Sequence, residues 1–156
     1  MFQSSPSLFR FQKCVFVILM SLCLMAIGAQ AQVKGAAEDA KGNNFYSQQK
    51  YAEALQWYKK SAAKGYSNAM SNIGGMYEHG VGVPQDYKQA LQWYRKSAAL
   101  GNAQAMDNLG DLYYQGQGGT RDFAQALQWY MQAAVKGNEY AMDSIGWLYE
   151  YGHGVS

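Results

Sequence analysis

The pentapeptide Ala-Leu-Gln-Trp-Tyr stands at 54–58, at 90–94 and at 126–130, two equal steps of 36 residues. A second track keeps the same step: Ala69-Met70-x-x-Ile73-Gly74, Ala105-Met106-x-x-Leu109-Gly110 and Ala141-Met142-x-x-Ile145-Gly146. Two separate motifs locked to one period mean tandem duplication of a supersecondary unit. Units of this length bury their apolar faces against their neighbours and build an elongated array with an extended surface. Such a surface suits binding better than chemistry.

Each period reads as two helices. Met70, Ile73 and Tyr77 fall at i, i+3 and i+7, one face of a helix over about 69–78. Gly74 follows on that side, although a glycine inside a helix costs up to about 1 kcal/mol relative to Ala. Its recurrence at Gly110 and Gly146 points to close approach of a partner helix. The cluster from Gly80 to Asp86 (GVGVPQD) is a turn, with Pro84 ahead of the next helix and Asp86 as its N-cap, a role repeated by Asp122. The second helix runs over about 87–99, with Ala90, Leu91, Tyr94 and Ala98 as its buried stripe. Gly65, Gly101 and Gly137 follow the last periodic residues, where a glycine C-cap belongs.

The pattern A-x-x-x-[IL]-G-x-x-Y-x-x-G-x-G-x-x-x-D-[YF]-x-x-A-L-x-W-Y-x-x-[AS]-A-x-x-G resembles the Sel1-like repeat family, a branch of the tetratricopeptide superfamily, over nearly all of the chain after residue 31. The resemblance implies an all-α fold: an α/α solenoid of antiparallel helix pairs, wound as a right-handed superhelix with a concave face, in about three and a half repeats. Units fall at roughly 36–65, 66–101, 102–137 and an incomplete 138–156. Relatives act as adaptors and scaffolds, and bacterial ones are often exported.

The first unit departs from the pattern. Gly42 and Ala54 are 12 positions apart, against 16 from Gly74 to Ala90 and from Gly110 to Ala126, so the glycine-rich turn extension is missing. Glu38 and Lys41 hold the places of Met70 and Ile73. This reads as a polar N-terminal cap, a device repeat arrays need for solubility. At the other end, Tyr149 to Ser156 aligns with Tyr77 to Pro84. Helix 139–151 then has no sequential partner. It reads as a C-terminal capping helix; the alternatives are exposure of Trp147, Tyr149 and Tyr151 to another chain, and truncation of a longer array.

Residues 1–31 have the three parts of a secretory signal: Arg10 and Lys13, an uncharged apolar run from Cys14 to Ala29, and Ala29-Gln30-Ala31 as a small-x-small cleavage site. Cleavage after Ala31 and a periplasmic or secreted location are expected, with membrane attachment only if the segment is retained. Removing Arg10 and Lys13 from the 13 Lys and Arg leaves 11, equal to the 11 Asp and Glu. No basic stripe remains, which argues against nucleic acid as a partner. Both cysteines, Cys14 and Cys23, lie in the leader, so the remaining chain of about 125 residues relies on packing rather than disulfides.

Chemical motifs are sparse. His79 and His153 are 74 positions apart in equivalent turns and read as solvated, not as metal ligands. Gly80-x-Gly82 and Gly116-x-Gly118-Gly119 follow helices and lack Gly-Lys-Ser/Thr, so they are turns, not phosphate loops. Asp107 and Asp111 are i, i+4 on one helix and read as a solvated face; the alternative, a glycosidase-like carboxylate pair, lacks a specified groove. In the stripe Trp57, Tyr58, Trp93, Tyr94, Trp129 and Tyr130, the tyrosines read as core. Each tryptophan, about 100° round the helix, reads as inter-repeat packing, with a ligand ladder as the alternative.

By analogy with tetratricopeptide arrays, partners meet the concave face, lined by first-helix residues off the core stripe. Here these are Asn68, Ser71, Gly75, Glu78 and His79; Gln104, Asp107, Asp111, Tyr114 and Gln115; and Tyr140, Asp143, Trp147, Glu150 and Tyr151. That face is acidic and aromatic and fits a protein or peptide with basic and apolar anchors. The leading expectation is an exported, non-enzymatic interaction module without a cofactor. The alternatives are a cell-wall or glycan-active hydrolase and a remnant of a longer array. Replacing Asp107, Asp111 and Asp143 with Ala is expected to weaken binding while leaving stability nearly intact.

Overall fold

The structure, a computed structural model, describes residues 35–153. The leader-peptide reading lies outside them. The described residues form seven helices in antiparallel pairs: α1 (35–47), α2 (Tyr51–Ala63), α3 (Ser67–His79), α4 (Tyr87–Ala99), α5 (Ala103–Gln115), α6 (Phe123–Val135) and α7 (Glu139–Glu150). None of them is long and apolar enough to cross a membrane. Odd-numbered helices are the first of each pair, even-numbered ones the second, and every helix from α2 to α7 packs on its sequence neighbours.

Helix ends follow from local chemistry. Asp86 accepts from the amides of Lys88 and Gln89, and Asp122 from Gln125, so both act as the expected N-caps. Asn102 and Asn138 cap α5 and α7 the same way. The even-numbered helices close with Gly65, Gly101 and Gly137, at φ 83°, 83° and 84°. A side chain at such φ is strained, and glycine is not. The closing amide then returns to the helix, as Tyr66 does to the Ser61 carbonyl at 3.3 Å.

The recurring glycine inside each first helix is explained by the tyrosine opposite. A Cβ at Gly42 would lie 2.5 Å from the Tyr58 ring, at Gly74 2.6 Å from Tyr94, and at Gly110 2.4 Å from Tyr130. Each ring is buried against bare backbone, which places the two helices of a pair in contact. At Gly146 nothing lies within 4 Å, because no second helix follows α7 among the described residues.

Units are stitched together by their turns. Gly82 sits where a Cβ would lie 2.4 Å from Tyr51 of the preceding pair, and Gly118 packs in the same way on Tyr87 and Leu91. The four-residue extension of units two and three is therefore a lid over the start of the previous second helix. His153 repeats the contact, stacking on Phe123 at 4.4 Å with the rings 9° apart. Buried hydroxyls add to this: Ser61 donates to the Gly35 carbonyl at 2.7 Å and Ser97 to that of Ser67 at 2.8 Å. The core runs as two clusters, one around Tyr58, Ile73 and Met76, the other around Tyr94, Leu109, Leu112, Tyr130 and Leu148, with Tyr77 packed against both.

The polar first helix is as expected: Glu38 pairs with Lys64, Lys41 is exposed, and no large apolar stripe faces outward. The capping role expected of α7 does not match its surface. Tyr140, Met142, Trp147, Tyr149 and Tyr151 are each more than half exposed, which is the opposite of a polar outer face.

Candidate functional site

The odd-numbered helices lie side by side, and two pockets open along them. One, of about 350 Å³, spans α1, α3 and α5; its lining includes Asn43, Tyr46, Ser71, Asn72, Gly75, His79, Gln104 and Asn108. The other, of about 400 Å³, lies between α5 and α7 and is lined by Asp111, Tyr114, Gln115, Tyr130, Asp143, Ser144, Trp147 and Leu148. Among the described residues, no lysine or arginine lines either pocket.

The floor of this groove is made by the tyrosines of the repeated pentapeptide. Their rings rest on the glycines and their hydroxyls emerge beyond the helix. Tyr58 donates to Asn43 Oδ1 at 2.7 Å, Tyr94 to Glu78 Oε2 at 2.5 Å and Tyr130 to Asp111 Oδ1 at 2.6 Å. Burial raises all three phenols, Tyr58 to about 12, and the bonds of Tyr94 and Tyr130 to carboxylates raise those two further. All three remain protonated donors at neutral pH.

Asp107 corrects the expectation of a solvated face. It is 5% exposed, and its Oδ1 is buried without a hydrogen-bond partner among the described residues. Burial, then the charge of Asp111, pushes its carboxyl up to about 6. The equivalent Asp39 is better served: it accepts from Asn43 at 3.2 Å and Asn72 at 3.1 Å. The corresponding positions beside Asp107 are Asp111, an anion, and Ser144. Gln104 supports its other oxygen at 3.3 Å. Asp111, itself raised by burial, is tied to Tyr130. The triple Ala replacement therefore reaches the interior as well as the groove: it removes an unpartnered buried carboxylate at Asp107 and the acceptor of the Tyr130 hydroxyl at Asp111.

The other expected binding residues fall into four groups. Ser71, Gly75, His79 and Gln104 meet in the first pocket, and Asp111, Tyr114, Gln115, Asp143 and Trp147 in the second. Glu78 is engaged with Tyr94. Tyr140 and Glu150 on α7 and Tyr151 at its C-cap are exposed and line neither pocket. Sequence reasoning missed the polar track Asn72, Asn108 and Ser144, each one residue past an expected groove position, and the three tyrosine hydroxyls. The 36-residue register of both sets was the available signal.

Trp93 packs against the core cluster around Ile73, and Trp129 against the one around Leu109. Trp57, Trp93 and Trp129 are half-buried. Lys41 and Lys60 sit over Trp57 at 4.5 and 4.2 Å, and Lys96 over Trp93 at 4.4 Å. Lysine stems and ammonium groups shield these faces from solvent. No group of three or more metal-ligating side chains occurs among the described residues.

Tandem helix pairs, glycine-seated tyrosines and a side-chain-lined groove define a helical repeat scaffold. The chain belongs to the Sel1 repeat family: the Sel1 repeat model matches residues 41–66, 67–102, 103–138 and 139–156. Sel1 repeats are generally protein-interaction scaffolds and typically non-catalytic. Among solved structures, a protective antigen of uropathogenic Escherichia coli is 37% identical, with a TM-score of 0.73 over 80% of this chain and 27% of that one. A Sel1 repeat protein from Oxalobacter formigenes is 35% identical, with a TM-score of 0.71 over 78% of this chain and 51% of that one. Helicobacter pylori cysteine-rich protein B, 23% identical with a TM-score of 0.58 over 74% of this chain and 92% of that one, shares the fold. The chain spans about a quarter and a half of the length of the first two. No curated protein matches it.

Proposed function

We propose that the protein is an exported, non-enzymatic interaction module that holds a basic side chain of a partner peptide between α5 and α7. The observation that carries this reading is the pocket of about 400 Å³ there. It joins Asp111 and Asp143 with Tyr114, Tyr130 and Trp147, with no basic residue among the described residues that line it. A guanidinium or ammonium group entering it meets carboxylates at its charged end and aromatic faces along its stem. The polar pocket over α1, α3 and α5 would accept the continuing peptide through Asn72, Asn108 and Gln104. Export rests on the leader features of residues 1–31.

The test uses Asp143→Asn and Trp147→Ala, since both side chains are exposed and their loss leaves the core intact. Arginine-containing peptides with apolar flanks are titrated by calorimetry beside matched citrulline peptides. Citrulline and each variant should weaken binding by at least about ten-fold, or 1.4 kcal/mol. Equal affinity for arginine and citrulline peptides would remove the charge-recognition reading.

A further inference from the structure

The glycine under each tyrosine ring makes a notch in its helix, and the residue after it lines the groove. That residue is Asn43 in the first unit, Asp111 in the third and Trp147 in the fourth, but Gly75 in the second. The polar pocket of about 350 Å³ lies over this missing side chain. A Cβ at Gly75 would meet only the Tyr94 hydroxyl, at 3.5 Å, so no neighbour fills the space. The amides around it are oriented from behind. A carboxylate accepts hydrogen bonds and donates none. Asp39 therefore takes the Nδ2 end of Asn72, at 3.1 Å, and Asp107 the Nε2 end of Gln104, at 3.3 Å. The carbonyl ends, Asn72 Oδ1 and Gln104 Oε1, accept no hydrogen bond among the described residues. Among the described residues, no Asp, Glu, Lys or Arg lines this pocket. It offers oriented acceptors without charge.

We infer that the pocket over Gly75 takes a carboxamide side chain of the partner peptide, a Gln or Asn whose NH2 group donates to Asn72 Oδ1 and Gln104 Oε1. Resting on the peptide reading of the groove, this pocket adds a second, uncharged anchor to the charged one. Other side chains fit its chemistry less well. A carboxylate has no donor for the two carbonyl oxygens, and Asp39 and Asp107 stand behind them with the same charge. An ammonium or guanidinium group would lose hydration here without a carboxylate in the lining, whereas the pocket between α5 and α7 supplies Asp111 and Asp143. An apolar side chain would cover both carbonyl oxygens and leave them unpaired. A hydroxyl brings one donor; a carboxamide brings two on one nitrogen, and its own oxygen is left for Ser71 in the same lining.

The probes are short fluorescein-labelled peptides with one Arg, titrated against the whole protein by anisotropy, with a Gln placed at each position in turn on either side of the Arg. Each is matched by a peptide with Met in place of the Gln, similar in length and without a donor. At one spacing the Gln peptide is expected to bind at least about ten-fold more tightly than its Met match. Gly75→Leu should erase that advantage and keep the preference for Arg over citrulline; Asp143→Asn should do the reverse. Gly75→Leu folds, since its Cβ has room and Leu suits a helix, and an unchanged melting midpoint checks this. Gln104→Met, at an exposed position, should cut the advantage several-fold. An Arg preference with no spacing at which Gln exceeds Met overturns the inference and leaves the charged pocket standing. So does a Gln advantage that survives Gly75→Leu, or a Lys that binds more tightly than Gln at the same place. A Gln advantage without an Arg preference keeps this pocket and removes the other; loss of both removes both.

Discussion

Asp107 and Asp39 occupy the same repeat position, and the difference between them is set by the residue four places on. Asn43 donates to Asp39; Asp111 repels Asp107. A buried carboxylate oxygen without a donor is expensive, on the order of 1–3 kcal/mol. Asp107→Asn should raise stability at pH 7 by on the order of 1–2 kcal/mol. The pH dependence gives the sign a second check. The folded value of Asp107 is about 6, above an unfolded value of about 3.9. The folded state binds this proton more tightly, so the stabilisation is full below pH 4 and is lost as pH rises through 6. Thermal melts at pH 5 and pH 7 should show the natural chain gaining stability on acidification, and Asp107→Asn gaining less. Asp39 and Asp111 shift in the same direction and keep some of the slope in both. A variant with the same melting temperature and the same slope would show that Asp107 is not desolvated. An i, i+4 carboxylate pair reads as solvated from one sequence because burial depends on the neighbouring unit, which periodicity does not place.

At the scale of the helix pair, glycine has opposite meanings at equivalent positions. Gly110 faces a ring that is 3% exposed and anchored by Asp111, so an added methyl group cannot be accommodated by a small shift. Overpacking of this kind costs about 1–3 kcal/mol, against up to about 1 kcal/mol regained from helix propensity. Gly146 has the propensity term alone. Gly110→Ala should lower the denaturation midpoint and Gly146→Ala should raise it; two changes of the same sign would contradict the notch. Much of this scale was legible beforehand. Asp86 and Asp122 as caps, Gly65 and Gly101 as helix stops, and the glycine as a point of close approach all follow from turn chemistry and a fixed period. What was not legible is that the tyrosine ring fills the notch and carries its hydroxyl through to the groove. Periodicity marks a residue as buried without saying where its polar end emerges.

For the whole molecule, a linear array makes stability a sum of local terms and neighbour terms. Among the described residues, helices α3 to α6 are held on both sides, whereas α7 packs on α6 alone. Native-state hydrogen exchange should find the amides of α7 opening at a free energy at least about 1 kcal/mol below those of α5. Protection in α7 equal to that in α5 would mean the exposed face is covered in solution. The architecture and the number of units were legible from two motifs and one period. The site was legible only in outline: Asp111, Asp143, Tyr114 and Trp147 do converge, but Tyr140, Glu150 and Tyr151 fall outside the pocket. The difference is geometric, because residues sharing a helix face fan out along it and only those facing the next helix meet.

The lids formed by Gly82 over Tyr51, Gly118 over Tyr87 and His153 over Phe123 mean that the segment copied in the gene and the block that holds together in space are offset by half a unit. A segment excised at Ser67 and Gly101 takes the roof off α2 and leaves α4 without its own. Shortened arrays and grafts between relatives are better joined just ahead of Tyr51, Tyr87 or Phe123, so that each second helix travels with the turn that shelters it.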